Sequence, residues 1–135
     1  MSANTQFAVA IHILTLLARY PNQPLTSHHI ATSIGTNPAL VRKMMGQLAR
    51  AGLIKTGRGK EGGTVLAMTP EEISLEAVHA ALGSQKLYGV HRTSDPSCPV
   101  GQKMPSLLPA LFEDFEDAVT QQMRGKNLRT LLDKI

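Results

Sequence analysis

Arg42 and Lys43 follow the run Thr36-Asn37-Pro38-Ala39, and Arg58 and Lys60 flank a glycine within Gly57-Arg58-Gly59-Lys60-Glu61-Gly62-Gly63. Guanidinium and ammonium groups in such settings do not break bonds. They neutralise phosphates, and an arginine can grip a guanine edge at two points. These are the residues best suited to chemistry with an outside partner, and that partner would be negatively charged. The wider charge pattern agrees. Residues 1–60 hold no Asp or Glu and seven cations, the other three being Arg19, Arg50 and Lys55. Residues 61–135 hold seven cations and ten anions. The first part is +7 and the remainder −3, which together give the +4 of the whole chain. Charge this lopsided points to a polyanion.

Cys98 is the single thiol. One cysteine excludes an intramolecular disulfide and fits a reducing compartment, so a cytoplasmic protein is expected. It cannot supply a zinc site of several thiolates or an iron–sulfur cluster. No metal and no cofactor are expected. His28-His29 lack the spacing of a zinc-binding HExxH helix; adjacent histidines point to different sides of a helix and suit capping or phosphate contact. There is no glycine-rich phosphate loop, paired-carboxylate pocket or Ser/His/Asp set, so an enzyme is not expected. Phe7–Ala18 is apolar but only twelve residues long, too short for a bilayer. No Lys or Arg precedes it and no small-x-small site follows, so neither a membrane span nor an export signal is expected.

Elements must position these residues. Hydrophobic residues make up 42% and aromatics 4%, with no Trp, so one aliphatic core is expected. A first helix runs from about Asn4 to Tyr20, stopped by Pro21. It is apolar round most of its circumference and must be covered on two sides, which already raises the possibility of a partner subunit. Thr26 or Ser27 caps a short helix to Ile34, with Gly35 as its stop. Asn37 caps a third helix with Pro38 at its first position, carrying Leu40, Val41, Met44, Met45 and Leu48 as an apolar stripe until Gly52. Strands at Leu53–Thr56 and Thr64–Met68 enclose the glycine-rich turn. Ser74 caps a helix of about Leu75–Leu82. Residues 83–105 read as a loop, long enough to be functional. Ser106 or Pro109 starts a long helix to about Met123, and Asn127 caps a last one over Leu128–Lys134.

Helix, short helix, tight turn, helix and β-hairpin, in that order, is a winged helix-turn-helix. The fold class is therefore mainly α with a small β-hairpin, plus a long C-terminal helix. In this architecture the second helix of the pair enters the major groove with its N-terminal residues at the base edges. Those residues are Thr36, Asn37, Pro38, Ala39, Val41, Arg42 and Lys43. Thr36 and Asn37 could offer backbone amides to a phosphate, and Arg42 is the expected base reader. Arg58, Gly59 and Lys60 form a wing tip for the neighbouring minor groove. The expected partner is double-stranded DNA.

Leu25 through Pro38, on to Leu53-Ile54, resembles the Rrf2 family of bacterial transcription regulators, the group of IscR, NsrR and CymR. Gly57-Arg58-Gly59 with Gly62-Gly63 is similar to that family's wing, and Cys98-Pro99-Val100 and the long C-terminal helix also fit. The resemblance covers nearly the whole chain. It implies a homodimer joined through the long helix, with Leu108, Leu111, Phe112, Phe115 and Val119 at the interface and the first helix beside it. It also implies an approximately palindromic operator and, by the family's habit, repression. Cluster-binding members carry three cysteines before the long helix; here only Cys98 remains, so this chain resembles the clusterless type. Some clusterless relatives sense oxidants or electrophiles through a thiol, and Cys98, between Ser97 and Pro99, is the candidate sensor. The alternative is a regulator governed by a small molecule or a protein partner, with Cys98 passive; the effector is not identified by any residue. The expected division is 1–83 as the DNA-binding domain, 84–105 as an effector or sensor loop, and 106–135 as the dimerisation helix with a C-terminal helix packing on the first.

Overall fold

The computed structural model describes residues 5–57, 62–83 and 86–135. Arg58, Gly59 and Lys60, the expected wing tip, lie outside the described residues, as does Asn4. The elements are α1 (Gln6–Arg19), α2 (Ser27–Ile34), α3 (Pro38–Arg50), β1 (Ile54–Thr56), β2 (Thr64–Leu66), a 3-10 turn at Pro70–Glu72, α4 (Leu75–Ala81), α5 (Pro99–Arg124) and α6 (Leu128–Leu132). This is the winged helix-turn-helix with a long C-terminal helix that the sequence leads one to expect.

Local chemistry sets the boundaries. Thr26 accepts the His29 amide at 3.1 Å to open α2, and Gly35 closes it at φ +80°, a conformation that costs a glycine little. Asn37 accepts the Leu40 amide at 2.9 Å to open α3, with Pro38 where no amide donor is needed. Ser74 caps α4 through the Ala77 amide at 3.1 Å. Asn127 and Thr130 cap each other's backbone at the start of α6. Each such cap is worth about 1 kcal/mol.

Two compact units result: Met1–Ser84 with Met123–Ile135, and Gln85–Gln122. The first holds the whole buried core. Ile13, Leu14 and Leu17 of α1 meet Ile30 of α2, Met44 and Leu48 of α3, then Ile73, Val78 and Leu128. α6 lies against α1. Strands β1 and β2 pair antiparallel, Ile54 opposite Leu66 and Thr56 opposite Thr64. Thr64 is also bound to Leu25 by two backbone hydrogen bonds of 2.8 and 3.1 Å, so the hairpin is tied to the chain between α1 and α2. A side chain at Gly63 would place its Cβ 2.8 Å from the Pro24 Cβ, so that approach demands glycine. Arg124 grips Glu76 through two bonds of 2.8 and 3.0 Å, and Arg129 reaches Glu71 at 2.8 Å.

In the second unit the structure corrects the sequence reading. The long helix starts at Pro99, not at Ser106 or Pro109, so residues 99–105 are helical and the loop is shorter than expected. Pro105 and Pro109 lie inside the helix, although prolines usually mark an end. The earlier start is built upstream. The Asp95 carboxylate accepts both the Ser97 amide (2.9 Å) and its hydroxyl (2.7 Å). The Gln102 amide donates to the Cys98 carbonyl at 2.9 Å, and the Gln102 side chain donates to the Pro96 carbonyl at 2.6 Å. These bonds close the first turn before either proline is reached. No residue of α5 is buried. Among the described residues, no helix is long and apolar enough to cross a membrane.

Candidate nucleic-acid interface

The 3.6-residue repeat of α3 separates a buried face from an open one. Val41, Met44, Met45 and Leu48 are buried, whereas Ala39, Arg42, Lys43 and Arg50 are exposed. Val41 sits in both the expected stripe and the expected DNA-facing set; at 0% exposure it belongs to the core and cannot meet a base edge. Asn37 is exposed, but its Oδ1 is committed to the Leu40 amide. The Thr36 amide donates to the Ala31 carbonyl at 3.0 Å, which corrects the expectation that it is free for a phosphate; its hydroxyl is the group left to act. Pro38 has no amide. The amide of Ala39 is the donor that helix geometry leaves without an intrahelical acceptor. The open end of α3 thus presents the Ala39 backbone donor, then Arg42 and Lys43 just beyond.

The electrostatics favour an anion there. The ion pairs among the described residues join Arg124 to Glu76 and Arg129 to Glu71 and Asp133. All lie beyond residue 70, so the exposed cations of α3 are not quenched by these pairs. The hairpin adds a residue that the sequence reading left out of the site. Lys55 is exposed on β1 next to buried Ile54, as strand alternation requires. The alternation Ile54-Lys55 was the available signal. His28 and His29 are exposed in the first turn of α2, with the His29 amide already used by the Thr26 cap.

Pairing shifts the titration of two carboxyls in this unit. Glu71 is held below its ordinary value of 4.5, first by its own backbone amide and then by Arg129. Glu76 is held below the same value by Arg124, whose own value is raised in return.

In the second unit, Leu108 and Phe112 are half-buried, and Leu111, Phe115 and Val119 are exposed. Cys98 is half-buried, immediately before the first residue of α5. Its amide donates to the Asp95 carbonyl at 3.2 Å. Asp95 itself is held below its ordinary value of 3.8 by the Ser97 hydroxyl and amide.

Comparison with known proteins gives the same architecture a lineage. Residues 3–134 match the Rrf2 profile, described as an iron-dependent transcriptional regulator. The chain belongs to the Rrf2 family. Its relatives include YwnA of Bacillus subtilis (strain 168), whose name assigns it provisionally to the HTH-type transcriptional regulators; the two are 35% identical over 133 residues, 98% of each chain. A crystal structure of a provisionally assigned DNA-binding protein is 31% identical, covers 94% of this chain and 98% of its own, and superposes with a TM-score of 0.75. CymR of B. subtilis, at 22% identity, 100% and 98% coverage and a TM-score of 0.73, shares the fold. This Rrf2 protein is therefore a transcriptional regulator with a DNA-binding fold, and not an enzyme.

The Rrf2 description implies iron, and the donor set does not fit it. Cys98 is the only thiol. Among the described residues, no group of three or more His, Cys, Asp or Glu side chains could hold a metal ion. His91 is hydrogen-bonded to the Ser94 hydroxyl at 3.3 Å, and His79 packs edge-on against Phe7 at 5.1 Å.

Proposed function

We propose that this protein is a homodimeric repressor that binds an approximately palindromic operator in double-stranded DNA. The observation that carries the reading is the open end of α3: exposed Arg42 and Lys43 opposite buried Val41, Met44 and Leu48, in a stretch with no acid before residue 61. α3 enters the major groove, Arg42 reads a base, and Lys43 and Lys55 contact phosphates. Thr36, Asn37, Pro38 and Ala39 line the entry. Arg58, Gly59 and Lys60 remain the proposed wing tip from their sequence.

The dimer reading rests on unspent apolar surface. Leu111, Phe115 and Val119 are exposed on one side of α5, and with Leu108 and Phe112 they form the proposed seam. A groove of about 670 Å³ along the outer flank of α1, between Ile11, Leu16, Leu131 and Ile135, is a second apolar surface without cover. Two copies related by a two-fold axis would present two α3 helices to successive major grooves, roughly 34 Å apart. Bound there, the dimer blocks access to the operator, which is how repression follows from occupancy. Cys98 is the proposed sensor of oxidants: a peroxide converts the thiol to a sulfenic acid and is itself reduced to water.

The test is selection of bound duplexes from a random pool with reduced and with peroxide-treated protein. A symmetric motif recovered with reduced protein and lost on oxidation is expected. Recovery of unselected sequence would refute operator recognition, and an unchanged yield from oxidised protein, or a loss of yield when Cys98→Ser is treated with peroxide, would remove the sensor.

A further inference from the structure

The second unit contains a cavity of about 750 Å³ where the segment around Tyr88 folds over one side of α5. Its size is that of a small-molecule site. Its lining is of two kinds. One is aromatic: the rings of Tyr88 and Phe112 line the space 5.4 Å apart. The other is acidic: Glu113, Glu116 and Asp117 all line the space, against the single cation Lys86. Glu116 is fixed by the Leu87 amide, which donates to its Oε1 at 2.9 Å. Among the described residues none of these three carboxylates takes part in an ion pair. Glu113 and Asp117 lie one turn apart on the helix, an arrangement that destabilises a helix unless a cation answers it.

We propose that this cavity binds an organic cation: a protonated amine, guanidinium or quaternary ammonium on an apolar or aromatic body. The cationic head sits between the carboxylates and the ring faces, which attract positive charge through their quadrupole. The body lies along Tyr88 and Phe112. An anion is repelled by the excess of two negative charges, and a neutral molecule gains only the apolar part of the contact. At 3.6 residues per turn the acidic residues lie roughly 80–180° round α5 from the Leu108, Phe115 and Val119 stripe. Phe112 borders both. The inference concerns this unit alone and holds whether or not the chain dimerises or binds DNA.

The probe is rhodamine 6G, a cationic xanthene dye, titrated with the full chain in low salt and followed by fluorescence polarisation; fluorescein serves as the anionic counterpart. Saturable binding of one rhodamine per chain is expected, with no saturable binding of fluorescein. Benzyltrimethylammonium should displace the dye from the unaltered protein, and benzyl alcohol should not. The Glu113→Gln/Asp117→Asn pair, exposed and so compatible with folding, should weaken the dye at least tenfold. Tyr88→Leu should weaken it severalfold, and Tyr88→Phe should leave it nearly unchanged. The site is refuted if rhodamine fails to saturate, as it would were the cavity filled by a second copy. It is equally refuted if fluorescein binds as well, if benzyl alcohol competes equally, or if the double carboxylate variant keeps full affinity.

Discussion

α1 and α5 are both helices with a surplus of apolar residues, and they use it in opposite ways. α1 buries Ala10, Ile13, Leu14, Leu17 and Ala18 within its own chain, whereas α5, nearly twice as long, buries nothing. The first unit owns its core and presents charge outward. The second shows apolar side chains outward, with Leu107 54% and Phe115 45% exposed. A helix that burial does not hold in place within its own chain needs another surface to do so. On the function proposed above, the first unit folds and reads, and the second meets a partner.

That contrast can be broken most forcefully in the core. Leu48→Ala removes a wholly buried side chain and should lower unfolding free energy by about 2–5 kcal/mol in urea denaturation. A truncation at Leu111, 46% exposed, should cost the isolated chain far less. Equal losses would erase the distinction between the units. Next in size is Phe115→Asp, which places a charge in the proposed seam; sedimentation should show monomers with unchanged helix content. A dimer that survives it has its seam elsewhere. Smaller again is Arg42→Ala, which should cost about 1–3 kcal/mol on the preferred duplex and relax one base preference. A uniform loss on all sequences would make Arg42 a phosphate contact instead. Lys55→Ala should weaken all duplexes alike and reduce the salt dependence of binding by about one unit of slope.

The smallest effect is on pH. Glu71 and Glu76 titrate below the ordinary 4.5 in the folded chain. Each therefore adds stability that is present above the ordinary carboxylate value and is lost as pH falls through the lowered one. Both pairs are open to solvent, so the effect is modest. Glu76→Gln should flatten the acid limb of a stability–pH curve measured by thermal unfolding by lowering the neutral plateau slightly while leaving the acid end unmoved. An unchanged acid limb would show that Arg124 and Glu76 do not pair in solution.

Where local chemistry decides an element, the sequence alone was enough. Thr26, Gly35, Asn37, Pro38 and Ser74 mark their helix ends because a side-chain oxygen or a left-handed glycine is required at those points. The apolar stripe of α3 was equally plain. Val41 also stands in the expected DNA-facing set, although its spacing to Met44, Met45 and Leu48 puts it at the centre of that stripe, where it is buried. Pro105 and Pro109 did mislead. They argue locally against a helix, while the bonds among Asp95, Ser97, Cys98 and Gln102 nucleate one upstream of them. The acid face of α5 was visible as Glu113, Asp114, Glu116 and Asp117. That Tyr88 would close over part of it depends on a contact 24 residues away from Phe112, for which no spacing rule exists.

Those two prolines also give α5 a mechanical gradient. Each lacks an amide, so the carbonyls of Gly101 and Pro105 go without the usual rung of the ladder. Beyond Ala110 the ladder has no such gap as far as Arg124. Under hydrogen exchange the upstream turns should therefore shed their protection long before the downstream ones. The helix behaves as a stiff shaft on a compliant collar, and Cys98 stands at the collar's rim.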